Sequence, residues 1–376
     1  MRMANVISPA LSASRRTFAC MMFDFEILNS LLKRPFGGVR GHRVVSWACA
    51  CGLLMAFGLF AEQARAADVR ELVNPANEAR VWLNKIAASE KSVNYEGTFI
   101  FRRDDQLVTM YLIHVIDDTG ERERLSSLSG VPREFFRSRE GVVYLTPARM
   151  NSIFNKEILR RNFPAQLGGD IQDLEKNYRL TMGEADRIAG RNARMIVIEP
   201  KDNYRYGYRI WVDENTGLLL QSDLVDERGN AVEQFMFTAI RVMDKPTPQM
   251  IQAVTMSDKM RQALKSNKPD SMSTADVRWQ VMRMPSGFSL VDRYQHSHGK
   301  WGPVDQLVLT DGVATISVFV EKLHDNAKPF NGVSHMGAVN AYGAVVNDHQ
   351  LTVVGEVPLA TVRLIGKSLR LSVAGQ

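Results

Sequence analysis

Residues 204–230 read YRYGYRIWVDENTGLLLQSDLVDERGN. Two strands, 206–212 and 218–224, are separated by the turn residues Asp213–Gly217, and a second turn, Asp226–Asn230, leads into a third strand at 232–241. Asp, Asn and Gly placed between runs of aromatic and aliphatic residues predict an antiparallel meander. In a half-buried antiparallel sheet each strand alternates apolar with polar residues. Here both parities are rich in apolar side chains. The same holds for QLVTMYLIHVID at 106–117: Val108, Met110, Leu112 and Ile116 fall on one face, and Leu107, Tyr111, Ile113 and Val115 on the other. Both faces of such a sheet need cover. A sandwich core supplies it in one reading; in the other, one face lines a cavity or meets a partner.

Outward from this stretch the pattern is consistent. A helix is expected from an Asn74 N-cap with Pro75 at its first position, its packed face made by Ala79, Trp82, Leu83 and Ile86. Strands are expected over 95–116, turning at Arg103–Gln106, with another after Asp117–Gly120 and further ones at 142–146 and 194–199. Residues 151–176, with Pro164 and Gly168-Gly169, are expected to form short helices or loops across the sheet. The meander ends at Lys245-Pro246. A mildly amphipathic stretch then runs to Lys265, followed by SNKPDSMSTAD, which has the small, polar composition of a linker. A second domain begins near Val277, with a hairpin turning at Asp311-Gly312, a strand at 351–357 and a last helix opened by Pro358.

The first 66 residues have a different character. Val44 to Phe60 is a 17-residue stretch without charge, preceded by Arg40, His42 and Arg43 and followed by Ala64-Arg65-Ala66. This is the pattern of a secretory signal with cleavage after Ala66, and the apolar run is shorter than the roughly 20 residues of a membrane span. A retained anchor is the alternative; a lipoprotein signal through Cys49 or Cys51 fits less well, because the apolar run continues past both. Asp24 and Glu26 lengthen the leader beyond the usual form, and initiation at Val39 gives one of ordinary length. The leader holds eight of the 47 Lys/Arg and three of the 41 Asp/Glu, so the mature chain keeps 39 basic and 38 acidic residues. The formal charge of +6 is therefore mostly leader, and gives no support for nucleic-acid binding. All three cysteines, Cys20, Cys49 and Cys51, also lie in the leader, so the mature chain is expected to fold without disulfides or thiolate metal sites.

No strong catalytic constellation emerges from the residues. His296 and His298 are two apart in YQHSHGKWG, without cysteines or a helical metal motif, and fit solvated loop histidines. Asp104-Asp105 and Asp117-Asp118 stand between strands, where turn chemistry explains them. Gly168-Gly169 lacks the spaced glycines and lysine of a phosphate loop, and there is no Gly-x-Ser-x-Gly elbow. Tyr204, Tyr206, Tyr208 and Trp211 with Arg205 and Arg209 could stack on a sugar or base; more often such a set is an aromatic sheet face with solvated arginines opposite.

The order of features carries a resemblance. A leader, the segment ANEARVWLNKIAASEKSVNYEGTFIF, the hairpins of 204–238, a linker, MPSGF and DGVATISVFVEKL together resemble the MucB/RseB family of periplasmic regulators of envelope-stress sigma factors. The likeness covers essentially the whole mature chain; its motifs are structural, and residues 1–39 depart from the pattern. It implies an α+β, mainly antiparallel β architecture, with an open half-barrel similar to the lipoprotein carriers LolA and LppX and a smaller C-terminal α+β domain. The expected division is leader 1–66, lipid-sensing half-barrel 67–245, linker 246–276 and anti-sigma-factor-binding domain 277–376. The resemblance further implies no catalysis, cofactor or metal. The partners it implies are the periplasmic segment of an inner-membrane anti-sigma factor, shielded from proteolysis, and the acyl chains of lipopolysaccharide or lipoprotein that relieve that shielding; it leaves a homo-oligomer open. A lipid or lipoprotein carrier is the alternative function. On the sheet, the large residues Phe99, Phe101, Met110, Leu112, Trp211, Phe235 and Phe237 are the candidates to line the acyl-chain site, with core packing as their competing role.

Overall fold

The computed structural model describes residues 75–147, 149–153, 171–266, 279–297, 302–324 and 328–371. The signal segment, Asn74, Gly168-Gly169, most of the polar linker stretch and His298 lie outside them. No helix of the described residues is long and apolar enough to cross a membrane.

The N-terminal part opens with helix α1 (Pro75–Ser89) and continues into strands β1 (Asn94–Arg103), β2 (Gln106–Asp117), β3 (Gly120–Ser127), β4 (Glu134–Ser138), β5 (Gly141–Thr146) and β6 (Arg149–Ile153). Helix α2 (Ile171–Asn177) precedes β7 (Tyr178–Ile188), β8 (Arg191–Pro200), β9 (Gly207–Asp213), β10 (Leu219–Val225) and β11 (Ala231–Met243). All eleven strands form one open sheet in the order β6-β5-β4-β3-β2-β1-β11-β10-β9-β8-β7, antiparallel at every junction. This is the half-barrel the resemblance implies. The chain runs outward from the β1–β11 seam in one meander, β1 to β6, and back to it from the far edge in a second, β7 to β11.

The turns form where the sequence expects them. Asp104 takes φ 50° between β1 and β2. Asp117 Oδ1 accepts the Thr119 N–H at 2.9 Å, and Asp226 Oδ1 accepts the N–H groups of Arg228 and Asn230. These aspartates cap their own turns, an Asx device that needs no catalytic role.

Register shows why both strand parities are apolar. Across the seam, Ile196, Ile210, Ser222, Phe235, Phe101 and Val108 stand side by side on one face. At the β7–β10 end this face is covered by α1, whose Ala79, Leu83 and Ile86 pack with Ile196, Ile198, Tyr208, Ile210 and Val212. At the other end of the sheet the opposite face is covered instead. There α3 (Pro248–Val254) sets Met250 and Val254 on Ile113 and Val115, while α4 (Asp258–Ser266) brings Leu264 to Phe136 and Val143. One helical layer on each side thus buries alternate residues of different strands. On the α1 face of the central strands, Phe101, Leu112 and Phe235 are left half-buried.

The C-terminal part has β12 (Trp279–Val281), β13 (Ser289–Ser297), β14 (Pro303–Thr310), β15 (Thr315–Lys322), β16 (Gly332–Met336), β17 (Val339–Val346), β18 (His349–Gly355), α5 (Leu359–Ser368) and β19 (Leu369–Leu371). Six strands make a second sheet in the order β13-β14-β15-β18-β17-β16, and β12 pairs with β19. Val362 and Ile365 of α5 close its core over Val318, Leu351 and Val353.

Candidate functional site

The seven expected lining residues all fall in one packed cluster, with Leu125, Ile188, Ala193 and Leu220. Their positions differ. Phe99 pairs with Met110 and Phe237, Phe101 with Phe235, and Leu112 with Leu125, so six of the seven share the α1 face. Trp211 lies in the row Met195–Trp211–Gln221–Met236, which alternates with the row of Phe235 and Phe101. Its strand position is on the other face.

Within the six, burial separates two groups. Phe99 (1%), Met110 (2%) and Phe237 (3%) are shut off from solvent, whereas Phe101, Leu112 and Phe235 remain half-buried. The rings interlock: Phe99 to Phe235 is 4.7 Å between centroids, Phe235 to Phe237 5.1 Å and Phe99 to Phe237 5.8 Å, each tilted or edge-on. Such pairs add about 0.5–1.5 kcal/mol each beyond area burial. Three of the six are thus sealed, and three remain reachable from solvent. Sequence reading missed the continuation of this face, where Leu125 is followed across the sheet by Phe135 and by Tyr144, stacked on Phe135 at 4.6 Å. At the strand ends, Leu107 and Leu128 are more than half exposed, and Leu128 donates its N–H to the Thr109 carbonyl.

One row further along, the face becomes charged. Tyr95, His114, Glu123 and Arg137 are cross-strand neighbours, and Glu121 joins them from the start of β3. The Arg137 guanidinium lies 2.6 Å from both Glu121 Oε1 and Glu123 Oε1. His114 is buried, stacks on Tyr95 at 4.9 Å, and places Nδ1 2.9 Å from the Val93 carbonyl. Burial opposes its charge, but the two carboxylates and the carbonyl together hold its pKa above the ordinary value. Glu90, at the end of α1, is pushed up to about 7, first by burial and then by Glu123. The sequence signal for this group was the β2–β3 hairpin register around Asp117–Gly120, which sets residue 114 opposite 123.

The second feature is the joint between the two sheets. Arg205 is not the solvated residue expected from the sequence. Its side chain is fully buried, donating to Asp311 Oδ2 at 2.7 Å, to both Asp202 oxygens and to the Ser286 carbonyl. Tyr178 donates its hydroxyl hydrogen to the same Asp311 oxygen at 3.1 Å, and the guanidinium lies over the rings of Phe288 and Tyr178. A hairpin turn in the C-terminal sheet thus receives an arginine from the N-terminal one. The expected aromatic face is also divided: Tyr206 and Tyr208 pack on the α1 side, away from Trp211, and Tyr206 accepts a hydrogen bond from Asn340 at 3.0 Å.

The other half of the joint is at the seam. Arg103 Nε donates to Glu233 Oε1 at 2.6 Å, both side chains being nearly buried. From the β16–β17 turn, Ala338 N–H donates to the same Glu233 oxygen and Gly337 N–H to Asp104 Oδ2. Gly337 has φ 56°, and a Cβ there would lie 2.4 Å from Arg103 Cγ and 2.8 Å from Glu233 Oε1. Only glycine fits this approach without displacement.

Comparison with known proteins agrees with this architecture. The model of the MucB/RseB N-terminal domain matches residues 78–257, and that of the MucB/RseB C-terminal domain matches residues 273–370. The sigma factor AlgU regulatory protein MucB of Pseudomonas aeruginosa is 30% identical over 309 residues, covering 80% of this chain and 93% of the relative. The sigma-E factor regulatory protein RseB of Escherichia coli K12 is 23% identical over 299 residues, covering 78% and 90%. Among solved structures, the complex of Pseudomonas aeruginosa MucA and MucB matches with a TM-score of 0.63 at 28% identity, over 79% of this chain and all of the matched one. On the strength of both domain matches and the near-complete coverage of its relatives, this chain belongs to the MucB/RseB family.

Proposed function

We propose that the chain is a periplasmic regulatory binding protein. It holds the periplasmic segment of a transmembrane anti-sigma factor, shields it from regulated proteolysis, and responds to acyl chains of displaced envelope lipid or lipoprotein. The relatives named as sigma-factor regulators and the MucA/MucB complex support the partner. The observation that carries the sensing half is the continuity of one sheet face. The half-buried Phe101–Phe235 pair is followed on the same two strands by Arg103–Glu233, which receives the C-terminal domain. An acyl chain lying against Phe101 and Phe235 therefore acts on the strands that hold the joint, each buried methylene contributing roughly 0.8 kcal/mol. Coupling requires the lipid to bind the two domain arrangements with different affinity.

In this reading residues 67–245 sense lipid and 277–376 hold the partner together with the joint; of the 246–276 stretch expected as a linker, α3 and α4 pack on the N-terminal sheet and belong with it, and the remainder connects the two parts. A lipid carrier needs only the apolar sheet, and the interlocked second domain favours regulation. A purified mixture of protein, anti-sigma segment and its protease tests the proposal. Cleavage slows when the protein is added and recovers with lipid; equal cleavage rates with and without the protein refute it.

A further inference from the structure

We propose that His114, Glu121 and Glu123, at the charged end of the sheet face, form a binding site for a divalent transition-metal cation of the zinc type. The inference does not depend on the lipid or partner reading. His114 Nε2 lies 3.6 Å from Glu121 Oε1 and 3.7 Å from Glu123 Oε1, and the three potential ligand atoms all lie within 4.8 Å of one another. A tetrahedral ion with bonds of about 2.0–2.1 Å holds neighbouring ligand atoms roughly 3.3–3.4 Å apart. The two His114-to-carboxylate separations are within a few tenths of an ångström of that spacing. The three residues come from the two strands of one hairpin, so the backbone already fixes their approach.

A second observation concerns the imidazole itself. The side chain of His114 is 2% exposed, and its Nδ1 sits 2.9 Å from the Val93 carbonyl oxygen. A carbonyl only accepts, so Nδ1 carries a hydrogen, and Nε2 is the nitrogen that faces the two carboxylates. Nε2 stands within ion-pair range of both, and a bound ion would replace the proton it carries toward them. A ligating histidine is held in just this way, its other ring nitrogen bound to a carbonyl that fixes tautomer and orientation. Stacking on Tyr95 immobilises the ring further.

The point where the carboxylates converge already selects positive charge. Arg137 Nη2 is 2.6 Å from the same two oxygens that would ligate the ion. An incoming ion must displace that guanidinium, which is partly exposed, as is Glu121, so there is a path for both movements. One imidazole with two carboxylates suits zinc and its divalent neighbours; soft Cu(I) prefers the thiolate and thioether donors absent from this trio.

The test uses the chain from residue 67 onward, stripped of metal and titrated with zinc against a chromogenic chelator, with X-ray absorption of the zinc complex. One equivalent should bind with one imidazole and two carboxylate ligands. His114→Ala and Glu123→Gln should each weaken binding by about tenfold or more, and Arg137→Gln should strengthen it by removing the competing cation. If His114→Ala fails to fold, the isosteric Glu123→Gln carries the comparison. Zinc affinity unchanged by Glu123→Gln would put the ion elsewhere and overturn the proposal. So would the absence of binding by both the unmodified protein and Arg137→Gln.

Discussion

Arg103 and Glu233 face each other across β1 and β11, two residues beyond Phe101 and Phe235 and on the same face of the sheet. The ion pair that accepts the C-terminal domain is thus the next row after the half-buried aromatic pair. Its geometry predicts an asymmetric response. Arg103→Met leaves the Glu233 carboxylate nearly buried without its cation, and loss of one partner from such a pair costs about 3–5 kcal/mol. Glu233→Gln keeps an acceptor for Ala338 N–H and should cost less. Urea unfolding of the two variants checks the order; equal losses contradict it.

The joint can also be disturbed without touching a charge. Gly337→Ala places a methyl group 2.4 Å from Arg103 Cγ at a residue with φ 56°, so both backbone strain and steric overlap oppose docking. The expected loss exceeds about 1 kcal/mol, with the two sheets melting separately. A single unfolding transition at the original temperature counts against this account. Gly332, also at positive φ but with nothing near its Cβ position, is the control.

A third prediction concerns pH. Glu356 follows β18, and its carboxyl is pushed up to about 8, first by loss of solvation and then by the Glu233 charge, with Arg103 acting in the opposite direction. Its folded value lies above the ordinary carboxylate value of about 4.5 that holds in the unfolded chain. The contribution is therefore fully present below pH of about 4.5 and is lost as the pH rises to about 8. Glu356→Gln should remove this slope and make the protein more stable than the unmodified form at pH 8. Parallel pH–stability profiles of the two proteins would refute the assignment.

Much of this organisation was legible in the sequence, for identifiable reasons. The Asp-rich turns at 104, 117, 213 and 226 combine local side-chain chemistry with flanking apolar runs, and each marks a strand boundary. Helix α1 shows its packed face at helical spacing. By contrast β7 leaves little signal in the sequence, because Glu184–Arg187 are exposed and a register irregularity between Met182 and Ala185 breaks the alternation. The burial of Arg205 is not legible locally, since its Asp311 partner lies 106 residues away. The His114 group escaped notice because residues 114, 123 and 137 meet only once strand register is known.

The final prediction separates sealed from solvent-reachable positions among the seven lining candidates. Asp in place of Phe99, Met110 or Phe237 puts a carboxylate at a position at most 3% exposed, within a cluster of apolar side chains. Loss of a large buried side chain alone costs about 3–5 kcal/mol, and desolvation of the carboxylate adds to it. These three variants should unfold or melt far below the unmodified protein. Trp211, 9% exposed and set by register on the other face, should behave as a core residue too. At half-buried Phe101, Leu112 and Phe235 the carboxylate can reach water, so the fold should survive. Acyl-chain binding should fall, because the new charge stands where the chain would lie. Thermal melts alongside titrations with a fluorescent fatty acid measure both properties in all seven variants. If Asp at Phe101, Leu112 and Phe235 leaves binding intact in folded protein, the acyl chain does not lie along this face.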